Sequence, residues 1–328
     1  MNWELLFDGF LALWILTLAI LALSVQDIFR SILFFIAFGL GMALAWARLA
    51  APDVALAEAA IGAGLLGVLL ISASRAFAPS TPKSAPGRFN WTQFLTPLPV
   101  ILLSSTVAMW LLIQLRTVPA HPGLVEPAAG ALPESGVEHP VTAVLLNYRA
   151  YDTWLEIGVL LLAVWIIRAI AHPGTTPSAK DPNDLDSLRL AFVRGILPLL
   201  LLIAGYLLWA GKFAPGGAFQ SGVMLGAGGI LAALAGLPVR RLMQPPARDW
   251  LPLAGFGAFL LAAFLTLLMG RPMLAYPVDQ AGSWILLLEA LGMLSIGFLL
   301  FAFFVLAEAD GKPSAAGEPV APNEGGRP

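Results

Sequence analysis

"AGKFAPGGAFQSG", residues 210–222, puts a lysine, a proline and four glycines between two long apolar stretches. Two readings are open for it. It is a tight hairpin between two helices, or it is a break whose free backbone groups face a wet cavity. Irregular backbone at membrane depth is tolerated only when buried in protein or lining such a cavity. It is not a nucleotide loop, because it lacks the Gly-Lys-Ser/Thr ending and follows no strand. Either reading makes the flanking stretches helices. The helix that follows carries a face of small residues, Ala218, Gly222, Gly226 and Gly229, which predicts close packing on a neighbour.

Composition sets the solvent. Of 328 residues, 59% are hydrophobic and only 12% charged, with mean hydropathy +0.83. A soluble domain carries about a quarter charged residues. The net charge of −2 argues against nucleic acid as a partner. Cysteine is absent, which excludes disulfides, thiolate metal sites and iron–sulfur clusters in this chain. His121, His139 and His172 lie far apart beside prolines, so they are expected in solvated loops, with no zinc site and no cofactor.

A span needs about 20 mostly apolar residues. Such runs lie at 3–24, 28–48, 54–75, 94–115, 150–171, 192–211, 217–237, 251–270 and 284–307. The expected fold is therefore all-α, a polytopic transmembrane protein of about nine spans. The first run is long and lacks a basic leader, so it reads as a span and not a cleaved signal. Pro-rich linkers at 76–90, 116–140 and 172–187 divide the chain into blocks of three, two and four helices, with no internal repeat. The blocks are 1–78, 91–172 and 188–308, and the polar tail 309–328 is expected to be disordered. Lysine and arginine concentrate in alternate loops, the set holding Arg75, Lys83, Arg88, Arg168, Arg240 and Arg241. That set is expected inside, with the N-terminus outside and the C-terminus inside.

Carboxylates within a span cost several kcal/mol, on the order of 3 on insertion scales, and mark ion routes by default. Glu58, Glu156 and Glu289 sit roughly 6–9 Å inside the starts of their helices, at about 1.5 Å per residue. All three helices are expected to start on the outer side, so the glutamates are expected in one layer. Asp53 stands one turn before Glu58. Asp152 and Glu156 share one face at i,i+4 spacing, and Arg149 is placed to pair with Asp152. Two carboxylates on one turn suit holding a proton on one of them, or binding sodium through oxygen ligands. The alternative is that each glutamate is a protonated hydrogen-bonder between helices. Asp8, Asp27 and Asp53 also read as helix-end groups. Lys212 is expected on the outer side near the glutamate layer.

Three segments carry a family resemblance. "APGGAFQSG" (214–222) resembles the Pro-Gly-Gly-Gly-Phe-x-Gly-Gly signature of the B-type component of Mrp-type sodium/proton antiporters. "LLNYRAYDTWLEIGVL" (145–160) resembles a block at the C-terminal end of the A-type Mrp component, shared with the E-type component of membrane-bound hydrogenases. The stretch 27–70 resembles the D-type component of those hydrogenases. The chain is thus similar to a D–E–B fusion. The resemblance implies an ion pathway in which Glu156 takes the functional glutamate position, with Asp152, Arg149, Glu58 and Asp53 in matching motifs. Pro215, Gly216, Gly217, Phe219 and Gly222 match the B-type signature. Leu155 stands where glycine is usual, and Lys212–Phe213 where a His-Asn pair is common. The implied protein is a transporter subunit, not an enzyme, in a prokaryotic inner membrane. Its implied partners are large antiporter-like subunits, and its ion Na+ or H+. The alternatives are the ion module of a hydrogenase-type redox complex, or a scaffold in an ion-gradient-driven solute uptake complex.

Overall fold

The computed structural model describes residues 3–76, 98–117, 123–170 and 187–310. The tail from 311 to 328, His121 and His172 lie outside the described residues. The described residues are helical, with no strand among them. In chain order the helices are α1 (Trp3–Ser24), α2 (Ile28–Arg48), α3 (Pro52–Ala57), α4 (Leu66–Ala76), α5 (Leu98–Thr117) and α6 (Val125–Ala131). They continue with α7 (Pro140–Ala143), α8 (Ala150–Ile170), α9 (Ser187–Ala210), α10 (Ala218–Leu234), α11 (Ala247–Leu268) and α12 (Ala281–Asp310). Two compact units divide the chain: Met1–Phe77 with Leu132–Pro328, and Ala78–Ala131, which holds α5 and α6.

Seven of the described helices are long and apolar enough to cross a membrane. Ile101–Gln114 and Ala218–Leu234 are shorter apolar helices, at two positions where the sequence predicts spans.

Helix ends follow the local sequence. Asp27 caps α2, accepting the Arg30 N–H at 2.9 Å. Pro52 begins α3, where its missing N–H leaves no bond unmade. At the far end of α2, Arg48 Nε meets Asp8 Oδ1 at 2.8 Å, and its guanidinium reaches Glu4 at 3.6 Å. Asp8 and Asp27 are thus helix-end groups, and Arg48 fixes α1 antiparallel to α2.

Two wide turns interrupt the helical ladder. Hydrogen bonding is π-helical over Glu58–Leu65, between α3 and α4, and over Val144–Tyr148, between α7 and α8. Turns of this kind gather at functional positions.

α12 is the central element. It is apolar around its whole circumference, as a fully enclosed helix must be. It packs against α4, α8, α9, α10 and α11, and Ile296, Leu299 and Ala302 on it are fully buried. Its closest neighbour is α10, along the small-residue face. A Cβ on Gly222 would lie 2.9 Å from Ile296 Cβ, and one on Gly226 3.0 Å from the Gly297 carbonyl oxygen. Ser295 ties α12 to α11 by donating to the Pro252 carbonyl at 2.7 Å.

The backbone contact at Gly226 sets a test. Gly226→Val must separate α10 from α12, and overpacking of this kind costs about 1–3 kcal/mol. A lowered thermal unfolding midpoint in detergent is the expected result. An unchanged midpoint would show the seam to be slack.

Between α11 and α12 the loop folds inward. Tyr276 is 5% exposed and stacks on Trp284 with ring centroids 5.8 Å apart. Burial pushes its phenol up, so it stays neutral.

Candidate functional site

The glycine-rich break is a compact loop held on all sides. Leu207 O, in the last turn of α9, accepts the N–H groups of both Gly211 (3.2 Å) and Gly217 (2.9 Å). The loop carbonyls turn toward the segment before α7. Lys212 O accepts from Glu138 N–H at 2.8 Å and from His139 N–H at 3.0 Å. Gly211 O accepts from the Thr142 hydroxyl at 2.5 Å. Gly217 closes the loop at φ +105°, a conformation that L side chains rarely adopt.

Asp53 meets this loop from α3. Its Oδ2 is 2.9 Å from His139 Nε2, and its Oδ1 accepts the Gly216 N–H at 3.3 Å. The two side chains are 12% and 13% exposed. The expectation of a solvated loop therefore fails for His139. The proline after it does not extend a linker. It starts α7, which leaves His139 at the N-cap position and faces its ring inward.

Asp53 lines a cavity of about 260 Å³ with Thr142, Gly217, Phe219, Gln220 and Glu289. Glu289, on α12, is 2% exposed. It accepts the backbone N–H of Ala218, the first residue of α10. A carboxylate at that position meets the positive end of the helix dipole and satisfies an orphan donor. Glycine makes the approach possible. A Cβ on Gly217 would lie 2.7 Å from Glu289 Oε1, and one on Gly211 3.1 Å from it. The Thr142 and Thr153 hydroxyls donate to backbone carbonyls, at 2.5 Å to Gly211 and 2.7 Å to Leu145. Their lone pairs remain available as acceptors. The cavity thus combines two carboxylates and two hydroxyl oxygens with largely apolar walls, a setting able to hold a proton or a small cation.

Of the residues singled out in the sequence, Asp53, Gly216, Gly217, Phe219 and Glu289 meet at this cavity. Pro215 stands in the loop beside them. The others stand apart from it. Gly222 lies on the α10–α12 seam. Lys212 is exposed and contributes its carbonyl. Glu58 is half-buried at the first position of the π-helical segment, its carboxylate folded over Gly62. Arg149 pairs with Asp152 at 2.6 Å, and Glu156 lies exposed one turn further along α8. The three glutamates do not converge on one pocket among the described residues. Sequence reasoning missed His139, Thr142 and Gln220. The one signal for His139 was its place directly before a helix-starting proline.

Apolar helices packed around an enclosed carboxylate define a polytopic, all-α membrane protein with an intramembrane polar cavity. The sequence comparisons narrow that class. Residues 13–78 match the MbhD family of MBH subunits, and residues 190–309 match a "domain related to MnhB subunit of Na+/H+ antiporter". The chain is an Mrp-type antiporter subunit fusion. Its fold is similar to that of a chain in the Mrp complex from Dietzia sp. DQ12-45-1b, with TM-score 0.73 and 20% sequence identity. That likeness covers 95% of this chain and 35% of the other, so this chain spans about a third of its length. No curated protein matches the sequence.

Proposed function

We propose that the chain is a membrane subunit of an Mrp-like complex exchanging Na+ or another cation for H+, and that its intramembrane carboxylates form part of the ion pathway. The observation that carries this reading is Glu289, a carboxylate enclosed by protein and open to a cavity that Asp53 also lines. Glu58, Asp152 and Glu156 extend the route along α3 and α8, with Arg149 holding Asp152. The D-like, E-like and B-like blocks lie in that order. The N-terminus is outside and the C-terminus inside, in the plasma membrane of a prokaryote.

The partners are further membrane subunits, including large antiporter-like ones. Glu156 supports this. It is exposed within a candidate span, beside Leu155 (60% exposed) and Val159 (65% exposed). A carboxylate facing lipid is costly, so the face is expected to be covered by a partner helix bringing a hydrogen-bond donor or a cation. Dicyclohexylcarbodiimide, an apolar carboxyl reagent, is expected to label Glu156 in the separated chain and much less in the assembled complex. Equal labelling in both would mean that the face meets lipid.

The match of residues 13–78 to the MbhD family favours a second reading, in which the chain is the ion module of a hydrogenase-type redox complex. Mass spectrometry and metal analysis of the complex isolated in mild detergent separate the two. Antiporter-like subunits without iron or nickel support the exchanger, and metal-cluster subunits support the redox pump. Transport is tested in native membrane vesicles. A cation pulse is expected to dissipate a pH gradient when the chain is present. An equal response after deletion of the chain would sink the reading.

A further inference from the structure

We propose that His139 is the positioning residue of the ion site, fixing the Asp53 carboxylate at the cavity wall and the glycine-rich loop around it. The inference rests on reading the cavity as part of the ion pathway.

Asp53 sits in the first turn of a six-residue helix, and that helix alone does not orient its side chain. Two contacts do. Oδ2 meets His139 Nε2 at 2.9 Å, and Oδ1 accepts from Gly216 N–H at 3.3 Å. With Asp53 ionised, Nε2 carries its hydrogen and donates to a carboxylate that can only accept. The two oxygens are engaged by different segments, so the carboxyl plane is fixed.

His139 is itself held. Its N–H donates to Lys212 O at 3.0 Å, its carbonyl accepts from Ala143 N–H at 3.0 Å, and Pro140 follows it. These contacts form a closed circuit. Lys212 holds the His139 backbone, the His139 ring holds Asp53, and Asp53 holds Gly216, four residues beyond Lys212. One histidine thus engages the start of the loop through its backbone and the end of it through Asp53.

The role predicts a defined loss. Without the ring, Asp53 keeps its charge but loses a charge-assisted bond, and bonds of that kind shift equilibria by about tenfold or more. In native vesicles carrying the assembled complex, His139→Ala is expected to raise the half-saturating cation concentration about tenfold, with the maximal rate held within about twofold. His139→Gln keeps an N–H donor and is expected to restore half-saturation to near the wild-type value. Native gel electrophoresis checks assembly of each variant. If His139→Ala does not assemble, His139→Gln decides. Near wild-type half-saturation supports the role, and a tenfold shift overturns it. Wild-type behaviour of His139→Ala, with Asp53→Asn and Glu289→Gln defective, overturns the positioning role and leaves the pathway standing. Wild-type transport by Asp53→Asn and Glu289→Gln removes the pathway reading, and this role with it.

Discussion

Glu289→Gln is expected to stop ion exchange while leaving the chain folded and assembled. The two side chains have the same shape, and the Gln carbonyl can still accept the Ala218 N–H that Glu289 accepts. Its amide occupies the same space between Gly211 and Gly217. What is lost is the negative charge and the ability to take up and release a proton. Removing a positioned proton-transfer group lowers rates by about 100-fold or more, and an equal fall in vesicle exchange is expected. Glu289→Asp separates the two demands on the side chain. It keeps the charge but retracts the carboxylate by one methylene from the Ala218 N–H, so weak residual exchange is expected. A Glu289→Gln variant that exchanges ions at the wild-type rate would reduce Glu289 to a cap on α10.

The largest expected effect on stability lies at Gly136. This residue has φ +82° and rests directly on the start of α12. A Cβ there would overlap the backbone nitrogen of Gly282 and lie 2.7 Å from Ala281 Cβ. Neither neighbour can yield, because both are backbone or backbone-fixed atoms at the end of the central helix. The segment around Gly136 is also fixed. Ser135 donates to the Leu132 and Val137 carbonyls at 2.7 and 3.0 Å, and Asn147 donates to the Ser135 carbonyl at 2.8 Å. Backbone strain and steric overlap together predict a loss of about 3 kcal/mol or more for Gly136→Ala. Gly257→Ala is the control, since open space surrounds that position on α11. It removes a helix-interior glycine, so a stabilisation of up to about 1 kcal/mol is expected. Thermal unfolding followed by tryptophan fluorescence compares them. Equal midpoints for the two variants would refute the packing argument.

The helices were legible because a bilayer leaves little choice of backbone, and a run of about 20 apolar residues announces itself. The small face of α10 was legible for the same reason, since Ala218, Gly222, Gly226 and Gly229 repeat at helical spacing. Which helix filled that face was not, because α12 is apolar all round and presents no distinctive stripe. The site was legible in its parts and not in its assembly. Asp53, the glycine loop and Glu289 each stand out as costly or unusual in a membrane. Nothing local tells that they meet, since Asp53 and Gly216 are 163 positions apart. His139 was misread because its neighbours look like a linker. Its function depends on an aspartate 86 positions away. The two π-helical turns were also hidden, because they widen segments whose sequences read as ordinary helix.

The circuit through Asp53, His139 and Gly216 draws one contact from each of the three sequence blocks. In a single polypeptide, these partners are tethered, and closing the circuit is an intramolecular event. Tethering of this kind supplies an effective concentration of order millimolar for short flexible links. Separate polypeptides would have to meet by diffusion in the membrane before any of these bonds could form. Fusion thus makes the assembly of the site independent of how much of the protein the cell produces, and fixes the stoichiometry of its three contributing segments at one to one to one.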